Sequence, residues 1–141
     1  MYLSERRYLY DRRSGVPWPR GTAVELLPFP QHAGFIDYLA GGQQVVLHKS
    51  KRHGRAVVTW PEEFDEGHIP YKVIRIPETD QQASEWLRAA YAEIERGAVW
   101  SVFENCQDFV WRPITGHNAS PTRDAVIGIG ALVAMGCCLL G

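Results

Sequence analysis

The side chains best suited to chemistry in this chain are Cys106, His32 and His48. Cys106 directly follows Asn105. An apolar run (Val99, Trp100, Val102, Phe103) precedes it, and Phe109 and Val110 follow one turn later. Asn is a preferred N-cap, so the spacing predicts Cys106 at the first position of a helix. There the positive end of the helix dipole favours a thiolate over a thiol. Phe109 and Val110 would pin that helix to the core, and Pro113 should kink it or end it early. A pinned cysteine at a helix start is how a nucleophile is built, although a buried structural role is the commoner fate of a lone cysteine. His32 and His48 lie on either side of a glycine-bearing stretch, Leu39 to Gln43, and are symmetric about Ala40. In an antiparallel hairpin centred there, they would be direct cross-strand neighbours with Cβ atoms about 5 Å apart. A one-residue bulge in the loop would flip one of them to the other face. Taken singly, His32 reads as a turn residue after Pro30, and His48 as a surface residue before Lys49. His53, His68 and His117 sit in polar stretches and read as surface residues. Glu104 and Asp108 read as solvated charge.

These residues need elements to hold them. Thr22 to Leu27 alternates like a strand, and Pro28 and Pro30 break it. His32 to Tyr38 and Gln44 to Lys49 read as two strands of a hairpin. Arg55 to Trp60 is a further strand, Pro61 to His68 a polar connection, and Tyr71 to Ile76 another strand. Thr79 with Gln82 three residues later forms a capping box. Ala83, Trp86, Leu87, Ala90, Tyr91 and Ile94 then follow at helical spacing until Gly97 ends the helix. A run of antiparallel strands followed by helices is an α+β pattern, with an antiparallel sheet packed against the helices.

Composition bounds the rest. The 141 residues suit one ordinary core, and a formal net charge of −1 argues against nucleic acid as the main partner. Arg6, Arg7, Arg12, Arg13 and Arg20 crowd the start, interleaved with Tyr2, Tyr8, Tyr10 and Trp18. This stretch reads as a solvated, aromatic-anchored arm or as a patch facing anionic lipid headgroups. No apolar core follows the arginines, so it does not read as a secretory signal. Three cysteines, two of them the adjacent Cys137 and Cys138, make neither a disulfide framework nor a zinc site. No metal and no cofactor is expected. The organisation expected is a basic N-terminal arm over 1–16, a domain over 17–124 and an apolar tail over 125–141. That tail carries no charge, and as a helix it would be about 26 Å long, just short of a bilayer's hydrocarbon core. It reads as a membrane anchor or as a buried or oligomer-forming helix.

The ordered series Gly21 to Leu26, Gln31 to Ile36, Val45 to His48 and Asn105-Cys106 with Phe109-Val110 resembles the lecithin:retinol acyltransferase-like branch of the NlpC-type, circularly permuted papain-like superfamily. The resemblance covers roughly residues 17 to 125. The family has a histidine opening one strand, a second closing the next, and an Asn-Cys-Glu-His-Phe box. Here the box reads Gln107-Asp108 in place of Glu-His, and the histidines stand somewhat further apart than in the vertebrate enzymes. The resemblance implies a permuted papain-like fold with an apolar C-terminal helix. It also implies a Cys-His-His site, with Cys106 as nucleophile, His32 as general base and His48 as orienting residue. The activity implied is a phospholipase A-like acyl hydrolase or acyltransferase acting on glycerophospholipid esters through an acyl-thioester. The expected partners are a lipid or acyl substrate and a membrane surface, reached through the tail and the arginine-rich start, in the cytoplasm. Two other readings stand beside it. One is an NlpC-type amidase or peptidase acting on cell-wall or other peptide amides, and the other is a catalytically inactive membrane-tethered interaction domain.

Overall fold

Alternation in the first half of the chain builds a sheet with two buried faces. A computed structural model describes residues 8–27, 32–65, 70–99 and 106–116, with Cys106 and Gln107 described in their backbone alone. The elements run β1 (Ala23–Leu26), β2 (Ala33–Tyr38), β3 (Gln44–Ser50), β4 (Arg55–Thr59), α1 (Pro61–Phe64), β5 (Tyr71–Arg75), α2 (Asp80–Glu95) and α3 (Cys106–Thr115). The strands form a five-stranded antiparallel sheet in the order β4-β3-β2-β1-β5. The protein is therefore α+β, with its sheet covered by helices. The expected apolar tail falls outside the described residues. Among the described residues, no helix is long and apolar enough to cross a membrane.

Residues two apart on a strand share a face, and the two faces have different covers. Ala33 and Phe35 on β2, and Val45 and Leu47 on β3, pack in one cluster with Trp86, Leu87 and Ala90 of α2 and Phe109 and Val110 of α3. Phe35 is the hub, with ring centroids 6.3 Å from both Trp86 and Phe109. The other face carries Val24, Ile36 and Val46, covered by Leu9 and by Phe64 of α1. The segment Pro61–Phe64 was expected to be a polar connection. It turns into helix because Pro61 at its start has its backbone dihedral preset, and Glu62 and Glu63 suit the first turn.

The α2 cap forms as the sequence predicts: Thr79 Oγ1 accepts from the Gln82 N–H at 3.0 Å. The return bond goes one residue further out, with Gln82 Oε1 accepting from the Glu78 N–H at 2.8 Å. Gly97 ends the helix at φ 69°. In α3, Pro113 lies inside the helix, which runs only two residues beyond it to Thr115. Gly116 then closes the last turn, its N–H donating to the Arg112 carbonyl at 2.7 Å.

The arginine-rich start is not a free arm over its described part. Residues 9–18 form a small hairpin, with a Tyr10–Pro17 bridge and a bond from the Trp18 N–H to the Leu9 carbonyl. It straddles the boundary expected at residue 16. Gln44, which is almost fully buried, accepts from the Leu9 N–H and donates to its carbonyl, so the hairpin is stitched to β3.

Candidate functional site

The β2–β3 register decides how the two histidines meet. His48 stands opposite Gly34 and Phe35 opposite Leu47, so the hairpin pivots on Gly41 rather than Ala40. The direct His32–His48 pairing expected from symmetry about Ala40 is thus corrected to a diagonal one. The cause is the loop between Tyr38 and Gln44. The Leu39 N–H donates to the Gln43 carbonyl, and Gly42 takes φ 86°. A pivot moved by one residue moves the pairing by two, which preserves the face. His32 stands on the last rung of the β1–β2 ladder, its carbonyl accepting from the Leu26 N–H at 2.8 Å. Diagonal neighbours lie about 7–8 Å apart, within electrostatic reach.

His48 is buried and is not the surface residue its neighbour Lys49 suggested. Its Nε2 bonds Thr59 Oγ1 at 2.9 Å, and its ring meets Phe64 edge-on at 5.1 Å. Burial, and then the nearby His32 and His53, push its pKa down to about 3. His48 is therefore a neutral imidazole at physiological pH. Gly34 opposite it has no room for a side chain, since an added Cβ would lie 2.7 Å from Val46 Cγ1 and 3.2 Å from His48 Cβ. His53 is tied by Nδ1 to Ser50 Oγ at 2.9 Å, and its Nε2 lies 3.3 Å from Glu63 of α1.

Cys106 is the first residue of α3, as the sequence predicts. Asn105, the expected cap, and Glu104 lie outside the described residues, as do His68 and His117. The next turn is firmly seated, because Phe109 and Val110 are buried against β2 and β3. α3 covers the Phe35–Leu47 face of the sheet, whereas His48 packs with Phe64 on the opposite face. The sheet thus brings His32 and His48 within electrostatic reach of each other, but strand alternation sets both on the face opposite α3, with His32 standing just before the first residue of β2.

Buried charges were missed by the sequence reading, Asp108 and Lys49 among them. Asp108, expected in solvent, is 1% exposed in the first turn of α3, and Lys49 is 1% exposed on β3. Lys49 follows Leu47 by two and so belongs to the α3 face. The signal for Lys49 was its place in phase with Val45 and Leu47. For Asp108 it was the buried pair Phe109 and Val110 directly after it. Arg112, one helical turn after Asp108, bonds Glu93 of α2, and Arg75 of β5 lies 5.5 Å from the Trp111 ring centroid. These contacts lock α3 against its neighbours beyond its apolar seat. Among the described residues no cluster of His, Cys, Asp and Glu has the arrangement of a metal site. No family model matches this chain, and no curated protein or solved structure matches it either.

Proposed function

We propose that this protein is a cysteine-dependent acyl hydrolase or acyltransferase of permuted papain-like fold, acting on glycerophospholipid esters. The observation that carries the reading is that Cys106 opens α3, a helix seated by Phe109 and Val110 on the strand that His32 leads into. A helix start lowers the cost of the thiolate, and the buried turn behind it fixes the direction of attack. For this chemistry His32, which lies just before β2, must reach the α3 face at that strand's start and take the Cys106 proton. The thiolate attacks the ester carbonyl, and N–H groups at the start of α3 stabilise the oxyanion. As the tetrahedral intermediate collapses, the C–O bond breaks and His32 returns the proton to the departing alcohol. This leaves an acyl-thioester for water or another acceptor to resolve. His48 acts on His32 rather than on Cys106: a neutral, buried imidazole held by Thr59 limits how His32 sits and protonates. The membrane-facing part of the reading rests on the arginines of the 9–18 hairpin and on the uncharged tail.

Incubation with phospholipid should add the mass of a fatty acyl group to the protein. The adduct should be removed by hydroxylamine and be absent in Cys106→Ala. His32→Ala should abolish turnover, whereas His48→Gln should leave some. Cys106-dependent cleavage of a peptide, with no acyl adduct and no fatty acid released from lipid, would overturn the lipid reading and leave the nucleophile standing.

A further inference from the structure

The 9–18 hairpin does more than close off the sheet face opposite α3. Between it and β5 lies a cleft of about 410 Å³, with Arg12 and Arg13 at its rim, Tyr10 and Trp18 on one wall, and Tyr71 and Val73 on the other. The walls are fixed: Trp18 Nε1 donates to Tyr71 Oη at 3.1 Å, and Tyr71 Oη donates to the Tyr10 carbonyl at 3.2 Å. The rim is fixed too. The Asp11 N–H donates to the Val16 carbonyl, the Gly15 N–H donates to the Asp11 carbonyl, and Gly15 takes φ 71°. The turn therefore presents two adjacent exposed guanidiniums on a preformed backbone. Among the described residues that line the cleft the one carboxylate, Asp11, already accepts from the Arg13 N–H at 2.9 Å. In a protein of net charge −1, this is a local excess of positive charge beside exposed aromatic surface, with Tyr10 46% exposed. The cleft is on the face away from α3, so it is separate from the Cys106 site.

We propose that this cleft binds the phosphate of a phospholipid headgroup, with Arg12 and Arg13 on the phosphate and Tyr10 against the glycerol and the first acyl carbons. Guanidinium pairs match phosphate geometry, and a tyrosine suits the boundary between headgroup and hydrocarbon. The inference rests on the membrane-facing part of the proposed function and holds whether or not Cys106 is the nucleophile. It is tested in the full chain carrying Cys106→Ala, so that the lipid stays intact. Binding is measured to phosphatidylcholine vesicles with and without phosphatidic acid. The ratio of the two affinities isolates the anionic headgroup from any contribution of the apolar tail. Arg12→Gln with Arg13→Gln should lower that ratio by about tenfold or more, and Tyr10→Ser should lower binding to both vesicle types. Arg88→Gln, an exposed arginine on α2 far from the cleft in sequence, should leave the ratio unchanged. The arginines changed are exposed, so the melting temperature should stay that of the parent. Dihexanoyl phosphatidic acid, below its micelle concentration, should compete with the vesicles, and inorganic phosphate at the same concentration should not. Equal competition by inorganic phosphate would make this a free-phosphate site and overturn the lipid assignment. An equal loss from Arg88→Gln would make the attraction diffuse and overturn the site.

Discussion

His48 shows how much a single side chain's environment changes its chemistry. Its pKa lies near 3 in the fold, against about 6.5 in an unfolded chain. Between those values the unfolded state binds the extra proton and the native state does not, so stability falls as pH drops from 6.5 toward 3. The expected slope is up to about 1.4 kcal/mol per pH unit for this one group. Denaturant unfolding at neutral pH and at pH 5 should show the loss. His48→Gln should be less stable at neutral pH but should lose less on acidification. An unchanged pH slope in that variant would mean that His48 is protonated in the fold after all. The same burial that makes His48 a poor proton carrier makes it a good fixed neighbour for His32.

At the scale of elements, the β2–β3 hairpin is tuned by one missing side chain. Gly34 has no Cβ, and its two strand neighbours close over the space: Val46 Cγ1 and the Leu47 carbonyl oxygen would lie 2.7 and 2.8 Å from one. The carbonyl is backbone and cannot turn away. Gly34→Ala should therefore cost about 2 kcal/mol or more by forcing the strands apart. It should also disturb His48 directly, so the variant should lose part of the acid sensitivity described above. A urea midpoint equal to the parent's would show that the hairpin is looser than this packing implies. The seating of α3 is a comparable case: its grip comes from Phe109 and Val110 on Phe35 and Leu47, reinforced by the Arg112–Glu93 pair.

For the whole molecule, the Leu9 end of the arginine hairpin is joined to the sheet through a buried amide. Gln44 meets both the N–H and the carbonyl of Leu9, and its Nε2 also donates to Tyr38 Oη at 3.0 Å. Tyr38 Oη in turn donates to the Trp18 carbonyl. Gln44→Ala leaves the buried Leu9 N–H without its partner, at about 1–3 kcal/mol, while the Leu9 carbonyl keeps its bond from the Trp18 N–H. The local response is for the Leu9 end of the hairpin to loosen until water reaches that N–H. Trypsin should then cut after Arg12 and Arg13 several-fold faster, while the remaining sheet and helices keep most of their melting temperature. Global unfolding in place of local release would show that the hairpin is integral to the core.

The sequence by itself determined the strands, α2 with its Thr79 cap, and a helix beginning at Cys106. Alternation, helical spacing and capping chemistry are local properties, written within a few residues of each other. It also placed both histidines on the hairpin of β2 and β3. What it could not contain was the pivot of the 39–43 loop, which depends on Gly42 and the Leu39–Gln43 closure and which moved His48 from His32 to Gly34. Burial of His48, Lys49 and Asp108 was likewise decided only when both faces of the sheet were covered, by α1 and the hairpin on one side and by α2 and α3 on the other. A charge or an imidazole reads as solvent-facing until its cover is known. Here that cover comes from elements distant in sequence, so tertiary structure alone sets the desolvation that fixes these side chains' chemistry.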